Sequence, residues 1–161
     1  MYILVVEAIV LCIVFTLAVY AIAREPIKTL YNYPPKIQER VKSLEQYKDK
    51  IPTTKNKITA KIGASIIIVI IASLIMRYIN GYTTFLDGFI YSFILWTIVN
   101  FYDAIVLDCI WFCHDKQFVF EGTEDMVKEY HDYWFHIKGS LIGEILGAVV
   151  CAIVGLVVTI I

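Results

Sequence analysis

The stretch Phe89-Ile-Tyr-Ser-Phe-Ile-Leu-Trp-Thr97-Ile-Val-Asn100-Phe-Tyr-Asp103-Ala-Ile-Val-Leu-Asp108-Cys109-Ile-Trp111-Phe-Cys113-His114-Asp115 decides the fold. It is long and apolar enough to cross a bilayer, yet it carries an amide and three carboxylates, Asp103, Asp108 and Asp115. A carboxylate at membrane depth costs on the order of 2.5–3.5 kcal/mol on insertion scales. A partner, a wet cavity or a bound ion must offset that cost, so this segment marks where function is to be sought.

Three more segments of similar character flank it. The chain has 161 residues, of which 59% are hydrophobic, against about 45–50% in average globular usage. The spacing predicts transmembrane helices over 2–23, 62–79, 86–112 and 139–161. Four helices of about 20 residues leave little chain for a separate soluble domain. The β-branched run in the second span would suit a strand in water, but a lone strand in lipid leaves its backbone unpaired. The first span ends Ala21-Ile22-Ala23, like a cleavage site, but it lacks a basic leader and contains Glu7, so it reads as a true span. The fold class is therefore all-α integral membrane protein, a single domain of four transmembrane helices.

Most of the charge crowds into two loops. Residues 24–61 carry ten Lys/Arg against four acids, whereas 113–138 carry three Lys against six acids. Basic loops stay in the cytoplasm. The expectation is a multi-pass protein of the cell membrane with both long loops cytoplasmic and both termini outside. In the first loop Pro34-Pro35 opens a helix, and Ile37, Val41, Leu44 and Ile51 recur at helical spacing until Pro52. This basic amphipathic helix suits a place on anionic inner-leaflet lipids and packing against the acidic second loop, and the two readings are compatible. In the second loop Thr123 suits an N-cap, with Glu124 and Asp125 in the first turn. From there a helical extension runs unbroken into the fourth span, with Tyr130, Tyr133, Trp134 and Phe135 as an interfacial aromatic belt.

At about 100° per residue, Thr97, Asn100, Asp103, Asp108, Trp111, His114 and Asp115 share an arc of roughly 140°, with Tyr102, Cys109 and Cys113 opposite. Glu144 lies at comparable depth on the fourth span, and two facing carboxylates would share a cation or a proton. Asp132 and His136 share a helical face. These positions define the candidate site. Asp103, Asp108, His114 and Glu144 are candidate catalytic groups, with Asn100, Trp111, Asp132 and His136 as ligand-binding groups. Asp103, His114, His136 and Glu144 have the donor types of a divalent metal site. No resident cofactor is identified beyond such a metal.

Gly139, Gly143, Gly147, Cys151 and Gly155 repeat every four residues. Such a stripe lets a second helix approach closely, either the third span or the same stripe of a homodimer partner. Cys109 and Cys113, one turn apart, read as small packing residues or as a redox or soft-metal pair. Phosphate-binding glycine loops, nucleophile elbows and paired-histidine metal motifs are absent from the sequence. The basic loop is explained by lipid rather than by nucleic acid. Three readings stay open. One is a cytoplasm-facing polar pocket for a metal ion or a lipid or isoprenoid headgroup, in a binding protein or a small enzyme. The second is a small oligomeric cation or proton transporter. The third is a non-catalytic membrane partner subunit.

Overall fold

A computed structural model describes residues 2–52 and 54–161, with the side chains of 53–58, 60 and 61 outside the description. The charges of Lys55, Lys57 and Lys61 therefore lie outside the described side chains. The described residues are helical, with connecting turns and no strand. Helices α1 (Tyr2–Ala23), α3 (Thr54–Leu74), α4 (Phe85–Tyr102) and α6 (Tyr133–Val158) form the bundle. Four helices are long and apolar enough to cross a membrane, which is compatible with a multi-pass membrane protein. Both long loops gather at one end of the bundle, the capped end. The far end carries only the turn between α3 and α4, where Gly81 takes φ +72°.

The α4–α6 pair is the axis of the bundle, with α3 against α6 and α1 against α4. Close approach explains this arrangement. A Cβ on Gly155 would lie 2.7 Å from the Phe85 carbonyl oxygen, and one on Gly147 would overlap the Trp96 indole. A Cβ on Gly143 would sit 3.1 Å from Asn100 Oδ1, while Gly139 faces open space. The glycine stripe thus receives α4 of the same chain, except at Gly139. A homodimer built on that stripe would have to displace α4.

The third span does not keep one helical period. From Asp103 to Phe112 it winds as a π-helix, closing with the Cys113 amide donating to the Asp108 carbonyl at 3.0 Å. A second π turn, Ile75–Ile79, ends α3. Wider winding brings residues five apart nearer to one face, so Asp103 and Asp108 come within electrostatic reach of each other, and the arc drawn at 100° per residue breaks up beyond Asn100.

The capped end holds more structure than the length of the loops implies. Leu30, Tyr33, Ile37 and Val41 are each 0% exposed and pack with Phe118, Phe120, Met126 and Tyr130. The two loops therefore build a shared apolar core outside the spans. The first-loop helix α2 (Pro35–Ser43) is shorter than its sequence pattern, because Leu44 turns extended at ψ 124° before a 3-10 segment, Glu45–Lys50. Leu44 covers Gly122, where φ is +87° and a Cβ would meet it at 3.0 Å. Salt bridges from Lys36 to Glu129 and Arg40 to Asp125 hold α2 on the second loop, at 3.5 and 3.4 Å. The predicted packing of this helix against the acidic second loop is realised.

The unbroken second-loop helix is corrected. Helix α5 covers only Val127–Tyr130, and the chain breaks at His131–Asp132. Asp132 takes ψ 74° and its carboxylate caps α6 by accepting from the Phe135 amide, which is the local bond that aspartate offers in competition with helix. Thr123 is not an N-cap. It is fully buried, and its hydroxyl donates to the Phe120 carbonyl at 2.7 Å. Tyr130 leaves the predicted aromatic belt for the cap core, while Trp134 stays 67% exposed.

Candidate functional site

Helix α4 supplies Thr97 and Asn100 to the face that meets α6, and α6 supplies Ser140 and Glu144. The Asn100 amide donates to Glu144 Oε2 at 2.7 Å and to the Ser140 carbonyl at 3.0 Å. The Thr97 hydroxyl bonds to Glu144 Oε1. Gly143 permits this bond set, since any side chain there would press on Asn100 Oδ1. Both Glu144 oxygens therefore have donors, one of which, the Thr97 hydroxyl, can reverse direction. An ionised Glu144 accepts from it, and a protonated Glu144 can donate to it. The Asn100 amide can only donate at Oε2.

Nearer the capped end lies a second group. His136, whose side chain is 3% exposed, points Nδ1 at Asp108 Oδ2, 3.1 Å away. Its Nε2 is buried without a partner, as is the hydroxyl of Ser140 one turn on. Asp103 stands within electrostatic reach of both Asp108 and His136. Asp132 and His136, expected on one helical face, take separate partners: Asp132 caps its own helix and Asp108 takes the imidazole. The predicted facing of Asp103 and Glu144 is also not made: Asn100 and Thr97 hold Glu144, and Asp103 belongs with Asp108.

The other predicted residues go elsewhere. His114 turns outward, stacks on His131 at 4.9 Å and meets the Tyr133 hydroxyl at 3.2 Å. Trp111 stacks on Tyr20 of α1 at 6.1 Å and donates to Asp115 at 3.0 Å. Asp115 caps the 3-10 turn Lys116–Phe118. The proposed metal quartet of Asp103, His114, His136 and Glu144 is thus divided among three places. Among the described residues no three His, Cys, Asp or Glu side chains are grouped to hold a metal ion. All four cysteines are free, and Cys113 is buried.

Two features escaped the sequence reading. An open hollow of about 560 Å³ is lined by Ile110, Trp111, His114, Asp115 and Lys116. A lateral groove of about 500 Å³ lies between α1 and α4, with Cys12, Thr16 and Tyr102 among its walls. The Thr16 and Tyr102 hydroxyls pair across it at 2.8 Å. Only the regular spacing of Ala8, Cys12 and Thr16 could have signalled the groove.

Nothing in this geometry is borrowed from a relative, for the chain matches no family model, no curated protein and no solved structure.

Proposed function

We propose that this is a multi-pass membrane protein that binds a small positively charged species, a proton or metal cation, in the polar seam between α4 and α6. The observation that carries the reading is Glu144. It sits inside a membrane-length helix between a hydroxyl that can reverse its bond and an amide that cannot, and these partners, Thr97 and Asn100, bring no positive charge. A cation or a proton supplies what is missing. Asp108, with its side chain 34% exposed, forms the rim toward the capped end. The basic first loop argues that the capped end faces the cytoplasm, which makes the seam an inward-facing site. The division of the metal quartet favours binding over catalysis, so no reaction step is assigned.

The test is pH-difference infrared spectroscopy of the protein in lipid nanodiscs, with and without Na⁺, K⁺ and Mn²⁺. A carboxyl band that responds to pH or to one cation is expected in the wild type and lost in Glu144→Gln. Superimposable responses of the two proteins would sink the proposal. A second reading, a lipid or isoprenoid headgroup site, is favoured by the hollow at Trp111, His114 and Lys116, where a cationic side chain meets an aromatic one. Lipid that co-purifies with the wild type and is lost in Lys116→Gln would favour it.

A further inference from the structure

The far end of the bundle holds a half-buried polar cluster that the seam does not use. Glu7 projects from α1 within the first membrane-length helix. The Asn80 side-chain amide reaches it, with Nδ2 3.4 Å from Glu7 Oε2, and Tyr91 of α4 stands within electrostatic reach of the same carboxylate. Tyr82 packs its ring 5.1 Å from that of Tyr91. The turn after α3 and helix α4 therefore bring polar groups to one carboxylate of α1. The π turn Ile75–Ile79 and the left-handed Gly81 set Asn80 there, with the Asn80 backbone N–H donating to the Ile75 carbonyl at 3.0 Å. Isolated π turns often occur at functional positions.

The cluster has an excess of acceptors. Asn80 Oδ1 is buried and has no donor. The amide donates to Glu7 at a long distance, and its other contact is the Met76 sulfur at 3.7 Å. Turning the amide over and placing a proton on Glu7 would pair Oδ1 but leave the amide NH2 buried without an oxygen acceptor. A cation taken by Oδ1 and the carboxylate satisfies both ends of the amide in the orientation it has. One carboxylate matches one positive charge, and all the donors are hard oxygens, which suits an alkali cation better than a soft or divalent metal.

We propose that Glu7, Asn80 Oδ1 and the Tyr91 hydroxyl form a binding site for a monovalent alkali cation at the far end of the bundle. The site stands independently of the α4–α6 seam. It gives the bundle oxygen-lined cation sites toward both of its ends, separated by the Trp96–Gly147 contact and the apolar packing of Leu95, Val154 and Val158.

The experiment is thermal unfolding of the full chain in nanodiscs, titrated with NaCl or KCl against choline chloride at equal ionic strength. Binding to the folded state raises Tm in a saturable way. The expected result is a rise with Na⁺ or K⁺ but not choline, lost in Glu7→Gln and retained in Glu144→Gln. Tyr91→Phe removes one oxygen only, so it should keep the fold and shift the titration about tenfold toward higher concentration. The inference is overturned if choline acts like Na⁺ and K⁺, or if Glu7→Gln keeps the rise. It is also overturned if Glu144→Gln abolishes the rise, which would assign the cation to the seam, or if lowering pH alone reproduces it.

Discussion

The cap and the α4–α6 seam bury their residues in opposite ways. The cap is built like a small water-soluble core, with Leu30, Tyr33, Ile37 and Val41 at 0% exposure inside and lysines, arginines and acids outside. The seam is inverted. Its outer surface is apolar, with Ile145 at 71% exposure and Leu146 at 61%, while Glu144, Asn100, Thr97 and Ser140 lie inside with the glycines. The cap follows from expulsion of apolar surface by water. In lipid that force is lost between helices, and close backbone contact with interhelical hydrogen bonds takes its place. One chain thus runs two packing rules, and the boundary falls near Asp108 and His136.

The comparison can be broken most severely at Gly147. In Gly147→Val the new side chain would overlap the Trp96 indole, so α4 and α6 must part. Loss of folded protein, a destabilisation of about 3 kcal/mol or more, is expected by thermal size-exclusion analysis. Gly139→Val, facing open space, should behave as wild type. Equal damage from both would mean that the stripe is not read by α4.

Leu30→Ala should act next most strongly and should stay local. A fully buried leucine loses about 2–5 kcal/mol on truncation. The expected outcome is faster proteolysis within the two loops, with the Na⁺ or K⁺ response of the far end retained. Global unfolding in its place would show that the cap and the bundle are one cooperative unit.

Tyr33 gives the smallest and most discriminating change. Its hydroxyl is buried without a partner, so Tyr33→Phe should stabilise the cap by about 1 kcal/mol. Burial, and then neighbouring Tyr130, push the Tyr33 phenol above the usual tyrosine value. The folded state holds that proton more tightly than the unfolded one. The resulting stabilisation is complete below about pH 10 and is lost as pH rises further. Wild-type loops should therefore become more protease-sensitive above that pH, and Tyr33→Phe should lack this Tyr33-linked step. A wild-type alkaline profile unchanged by the substitution would show that Tyr33 is not buried as described.

The spans were legible because a 20-residue apolar run has few other physical meanings, and the glycine repeat announced a close helix neighbour. The site was legible only where the chain keeps regular α geometry. Thr97 and Asn100 meet Glu144 as the helical arc implies, but the arc fails from Asp103 onward because the backbone rewinds with a wider period. Periodicity also missed the break at His131–Asp132, where a single side-chain bond to the Phe135 amide outweighs a uniform helical pattern. The cap core was hidden for another reason: Leu30 and Tyr33 acquire their role only from Phe120 and Tyr130, far along the chain.

That separation has a consequence during synthesis. Arg40 and Asp125 are 85 residues apart, and at about 5–20 residues per second the ribosome needs roughly 4–17 s to make the intervening chain. For that interval the first loop displays Leu30, Tyr33, Ile37 and Val41 to water with nothing yet made to cover them. The nascent chain is most exposed to aggregation and chaperone capture in this window, and any delay in inserting α3 and α4 lengthens it.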